Sequence, residues 1–136
     1  MSSYLSIYIV PKRKTKDEPK KYIILTAYSR NTDIYKYFND VISPTYNEDE
    51  YTSLTKNSVS MVLDSFKEEI DYANKRLVEY EKYAINNSDL INEIIELKEY
   101  IKDLQYWKNK TSFIQDLISD IDYYANGIEE VCCNIN

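Results

Sequence analysis

Apolar residues at Val59, Leu63, Phe66, Ile70, Ala73, Leu77, Tyr80 and Ala84 recur in alternating steps of four and three. That period places them all on one stripe of an α-helix. A strand cannot carry it, because a strand turns its side chains over at every second residue. The pattern predicts a helix over roughly 54–86. The stretch "INNSD" interrupts it, since asparagine and serine compete for backbone hydrogen bonds and favour caps. A second stripe follows at Leu90, Ile94, Leu97, Ile101 and Leu104. Its phase slips at Trp107 and resumes at Thr111, Ile114, Ile118, Ile121, Ala125 and Ile128. An inserted step of three overwinds a helix or breaks it. "SFIQ" at Ser112–Gln115 fits a capping box, the mark of a new helix. "YWKNKTS" holds no glycine or proline, however, so the expectation is one helix that bends near Trp107, with Trp107 buried in the bend. A helix with so long an apolar stripe cannot bury it alone. The short break near residues 86–89 predicts an antiparallel helical hairpin of coiled-coil type.

The first 43 residues have a different period. Leu5, Ile7 and Ile9 alternate with Tyr4, Ser6 and Tyr8, and Ile23, Leu25 and Ala27 alternate with Tyr22, Ile24, Thr26 and Tyr28. Period two with β-branched and aromatic residues predicts two strands. Pro11 to Lys21 between them is charged and holds two prolines, which makes it a long hairpin loop. "DIYKYFNDVI", capped by Asn31 or Thr32, predicts a short helix ending before Pro44. "SPTYNEDEYTS" lacks any period and reads as an acidic linker. The expected fold is therefore α+β and mostly α. A single domain spans 1–136, with a ββα part at 1–43, a linker at 44–53 and a helical hairpin at 54–131. An isolated two-stranded hairpin is marginal in water, so this one must pack on the helices or be extended by another chain.

Composition narrows the chemistry. Histidine is absent, which removes the commonest general base and metal ligand. The single glycine, Gly127, cannot build a phosphate-cradling loop. Cys132 and Cys133 are adjacent, a spacing that suits neither a zinc site nor a mutual disulfide, and they read as reduced packing residues near a helix end. Glu68, Glu69, Glu93, Glu96 and Glu99 lack the Glu-x-x-His of a di-metal bundle. No catalytic residue, cofactor or metal is expected. No apolar run is long enough to span a membrane, and the first charges follow the first apolar run, the reverse of a secretory signal. A cytoplasmic protein is the expectation.

The chain has a net charge of −6, yet Lys12, Arg13, Lys14, Lys16, Lys20 and Lys21 oppose only Asp17 and Glu18 within one tract. The rest of the chain therefore carries −10. An acidic body repels phosphate backbones, so direct nucleic-acid binding is not expected. The tract itself reads as a solvated hairpin tip that keeps the strands soluble. The expected interaction residues are Lys12, Arg13, Lys14 and Lys16 on the tip, with Tyr4, Tyr8, Tyr22 and Tyr28 on the strand face, tyrosine being frequent at interface hot spots. Lys, Ile, Asn and Tyr, all with AT-rich codons, supply 58 residues. In this composition, and in its lack of any catalytic motif, the chain resembles small accessory proteins of phages or mobile elements; the resemblance rests on no motif and assigns no residue. The functional expectation is a non-enzymatic protein–protein interaction module that self-associates. The rival is an acidic inhibitor that mimics nucleic acid against a host defence or nucleic-acid-binding protein.

Overall fold

The computed structural model describes residues 3–29, 32–42, 51–124 and 127–135. The order of elements is β1 (Tyr4–Pro11), β2 (Tyr22–Tyr28), α1 (Thr32–Val41), β3 (Thr52–Ser53), α2 (Lys56–Ala84), a 3-10 turn (Ser88–Leu90), α3 (Ile91–Tyr124) and β4 (Ile128–Ile135). The fold is α+β, with a four-stranded antiparallel sheet in the order β2-β1-β4-β3.

Both apolar stripes form helices, the first over nearly its expected span and the second over a shorter one. Thr55 caps α2: its hydroxyl accepts from the Ser58 amide, and the Ser58 hydroxyl accepts from the Thr55 amide. Asn87 caps the 3-10 turn through the Asp89 amide, so the helical path stops and restarts within "INNSD". α3 then runs unbroken through Trp107 to Tyr124. Ser112 is consequently mid-helix and exposed, not a cap. Gln115, expected to close that cap, instead donates through Nε2 to the Ser60 hydroxyl of α2 at 2.6 Å. Thr111 is fully buried and its hydroxyl donates to the Trp107 carbonyl at 2.8 Å, which satisfies it without leaving the helix. Trp107 is half-buried rather than enclosed, with its ring edge-on to Tyr106.

Three expectations are corrected. The stripe that seemed to continue helically to Ile128 ends earlier: Gly127, at φ +83, turns the chain, and Ile128 opens β4. A left-handed φ suits glycine, which has no Cβ to clash. The helical span of 54–131 is therefore too long, and Cys132 and Cys133 lie in a central strand rather than near a helix end. Second, the "linker" of 44–53 ends in a strand, since Thr52 and Ser53 pair with Cys133 and Cys132; residues 44–50 lie outside the described residues. Third, the strand hairpin is extended by its own chain, because β4 pairs along the free side of β1. β1 is thus a central strand, and β2 and β3 are the edges.

The main core lies between the inner sheet face and the helices. Leu5, Ile7, Leu25, Ala27, Val131, Cys133 and Ile135 meet Ile34 and Phe38 of α1, Val59, Val62, Phe66 and Ile70 of α2, and Leu104, Ile114 and Ile118 of α3. A second, smaller cluster holds Ala73, Leu97 and Ile101, with Leu77, Tyr80 and Tyr100 packed at its margin. Leu77, Tyr80, Ala84, Leu90 and Ile94, all stripe positions, are only half-buried there. The reason is geometric: two helices offer each other one face, and among the described residues this cluster draws only on α2 and α3. The side chain of Ile121 and residue Ala125 fall outside the described residues.

Candidate functional site

The outer face of the sheet carries the tyrosines. Register pairs across antiparallel strands share a face. Tyr4 pairs with Tyr28, Ser6 with Thr26 and Asn134, and Tyr8 with Ile23 and Cys132. Tyr22 does not join them. The register shifts between Ile7 and Tyr8, where Leu25 and Ile23 are their partners, so Ile24 is the extra residue of a bulge. An inserted residue reverses the alternation beyond it. Tyr22 therefore pairs with Ile9 on the inner side, and Ile23 turns to the outer face, where it is exposed. The row expected to hold Tyr4, Tyr8, Tyr22 and Tyr28 is therefore Tyr4, Tyr8 and Tyr28, with Ile23 in place of Tyr22. Nothing in the strand's own pattern announces the bulge.

Tyr8 is only 3% exposed. Tyr51 meets its ring edge-on at 5.9 Å, and the Lys21 ammonium lies 4.9 Å from its centroid. Its hydroxyl is shielded from solvent and has no hydrogen-bond partner among the described residues. Burial, then the neighbouring Cys132, hold the phenol well above its usual range. Beside Tyr8 the basic tract borders an open cavity of about 780 Å³, lined by Lys12, Arg13, Lys14, Lys16, Lys20 and Lys21 and by Val10, Pro11, Tyr51 and Glu129. The loop has internal order: the Lys12 amide donates to the Gly127 carbonyl at 2.8 Å, and the Lys14 amide to Glu18 Oε2 at 2.9 Å. The structure thus brings Lys12, Arg13, Lys14 and Lys16 together with Tyr8. It leaves Tyr4 beside a smaller hollow of about 130 Å³, also lined by Tyr8, Ser6, Lys21, Ile23 and Asn134. Sequence reasoning missed Tyr51 and Glu129, which reach the cavity only through β3 and β4.

The two thiols face opposite sides of β4, as successive strand residues must. Cys133 joins the main core and Cys132 lies under Tyr8; both are fully buried. Burial pushes each thiol up to about 12, with Glu130 adding to the effect at Cys132. The Ser53 hydroxyl donates to the Glu130 carboxylate above them. Both sulfurs are protonated at neutral pH, hence poor nucleophiles. Among the described residues no group of three or more His, Cys, Asp or Glu residues is placed to hold a metal ion, and no helix is long and apolar enough to cross a membrane.

A polar junction joins the three helices. The Tyr100 hydroxyl of α3 donates to Glu69 Oε1 of α2 at 2.8 Å and lies 3.3 Å from Asp33 Oδ1 of α1. A hydroxyl has one proton, and the shorter contact takes it. Burial raises the Asp33 carboxyl above its usual 3.8; the Glu69 carboxylate adds to the rise, and Tyr100 and Lys36 oppose it. The folded state therefore holds this proton more tightly than the unfolded chain does. Its stabilising effect is complete below 3.8 and is lost as pH rises through the raised value. We expect Asp33→Asn, which keeps a donor toward Tyr100, to raise the melting temperature at pH 7 and to leave it unchanged near pH 3. Equal shifts at both pH values would show that Asp33 is ionised without cost in the fold.

The distal helices form a second surface. Arg76 of α2 donates to the Tyr80 hydroxyl at 3.2 Å, and its guanidinium lies 5.6 Å from the Tyr80 ring and 5.7 Å from that of Tyr72. Tyr72, Val78, Tyr83, Ile91 and Ile95 are exposed along the same stretch. Lys98 and Glu81 pair across the two helices at 3.6 Å, but both are well solvated and the pair adds little. No protein-family model matches the chain, and neither a curated protein nor a solved structure matches it.

Proposed function

We propose that the protein is a non-enzymatic protein–protein interaction module that self-associates through the distal part of α2 and α3. In this reading the two helices form an antiparallel, coiled-coil-like hairpin, bent where α3 changes phase at Trp107. The observation that carries it is the half-buried stripe: Leu77, Tyr80, Leu90 and Ile94 are incompletely covered, while Val78, Tyr83, Ile91 and Ile95 stand exposed beside them. Exposed apolar side chains beside a partly covered stripe are what oligomer interfaces bury. The Tyr72–Arg76–Tyr80 ladder adds the residue types that dominate binding hot spots. A second copy meets the surface by two-fold symmetry, giving a four-helix arrangement that covers both stripes.

The test is sedimentation velocity across micromolar concentrations, on the native chain and on an Ile91→Asp, Ile95→Asp variant. Both positions are at least half exposed, so the single chain should keep its helicity and melting profile. The native chain is expected to dimerise, and the variant to sediment as a monomer at concentrations at least tenfold higher. A native chain that stays monomeric throughout, or a variant that dimerises equally well, overturns the reading.

A further inference from the structure

We propose that the cavity between the Lys12–Lys21 loop and Tyr8 is a binding site for a nucleoside polyphosphate. Six cations face it, and among the described residues Glu129 is the one carboxylate on its wall, so the field of these residues favours a multiply charged anion. Arg13 offers the paired donors that phosphate oxygens accept in a fork, and the lysines supply compact charge. The volume of about 780 Å³ far exceeds what a single phosphate fills and lies within the range of sites for small organic ligands. Val10, Pro11 and the exposed ring of Tyr51 give it an apolar side on which a base can stack.

Tyr8 is the independent observation. It lines the cavity, is 97% buried by its 3% exposure, and its hydroxyl has no hydrogen-bond partner among the described residues. A buried donor left unsatisfied destabilises a fold, and native chains rarely keep one without use. A phosphate oxygen entering from the loop side supplies the missing acceptor. An extended nucleic acid fits less well: the tract holds +4 within a chain of net charge −6, so a strand leaving the cavity would run over an acidic body.

Isothermal titration calorimetry at low salt, with ATP, inorganic tripolyphosphate and a ten-nucleotide thymidine strand as probes, tests the assignment. ATP should bind saturably at one site per chain, more tightly than tripolyphosphate, and more weakly as salt rises. Replacing Lys12, Arg13, Lys14 and Lys16 with Ser should weaken ATP at least tenfold while the melting temperature holds, since all four side chains are exposed. Tyr51→Ala should weaken ATP and spare tripolyphosphate. Tyr8→Phe, which removes only the hydroxyl, should weaken both. Absence of saturable ATP binding at low millimolar concentration overturns the proposal. So does unchanged binding by the four-serine variant, equal affinity for ATP and tripolyphosphate, or tighter binding of the thymidine strand.

Discussion

Val131→Asp is expected to abolish cooperative unfolding. Val131 is 2% exposed on the inner face of β4, paired with Ile9 of β1, and belongs to the main core. An aspartate there must either bury an unpaired carboxylate or take up a proton at neutral pH. Both cost several kcal/mol. A domain of this size has only about 5–15 kcal/mol of stability in all. Glu129→Gln, on the same strand but exposed, should leave the urea transition in place. The pair of variants isolates the position of β4 in the fold. Circular dichroism through a urea titration reads both. A native-like transition for Val131→Asp would mean that the last strand is dispensable and that the sheet closes without it.

Phe66→Ala is expected to cost about 3–5 kcal/mol, the range for deleting a fully buried aromatic side chain. Phe66 has no exposed surface and meets the ring of Tyr37 edge-on, with centroids 4.9 Å apart at 89°. It therefore holds α1 to α2, and loses both its own burial and an aromatic pair when truncated. Tyr37 shares the enclosure: burial, then the nearby Asp33, push its phenol up to about 12. Phe66→Leu keeps most of the volume and should cost about 1–1.5 kcal/mol. Urea midpoints at constant slope give both values. A cost below about 1 kcal/mol for alanine would mean that the neighbours collapse into the vacated space.

The two variants test different kinds of inference. Phe66 was legible as a core residue, because its place in the stripe from Val59 to Ala84 is fixed by local period alone. The inner strand residues Leu5, Ile7, Leu25 and Ala27 were legible for the same reason, and all four are buried. Val131 was not. Its strand is eight residues long and shows period two at Val131, Cys133 and Ile135, but Ile128 also fits the helical stripe that precedes it. Gly127 was the available signal, as the chain's only glycine at the point where the period changes.

By itself, the sequence determined the periods: three helices, the first two strands, the break at "INNSD" and core side chains such as Phe66, Leu5 and Ile7. These follow from repeats of 3.6 and two, which a window of a dozen residues is enough to define. The tertiary structure alone decided which edges meet. It placed β4 between β1 and β3, and it used a bulge at Ile24 to exchange Tyr22 for Ile23 on the outer face. It curled the Lys12–Lys21 tract into the wall of a cavity, above a tyrosine whose burial no local pattern announces. Such outcomes depend on pairings between separate strands, from Tyr8 with Ile23 across the hairpin to Ile9 with Val131 near the far end of the chain. The closing entropy and packing of those pairings are properties of the whole chain, not of any stretch within it.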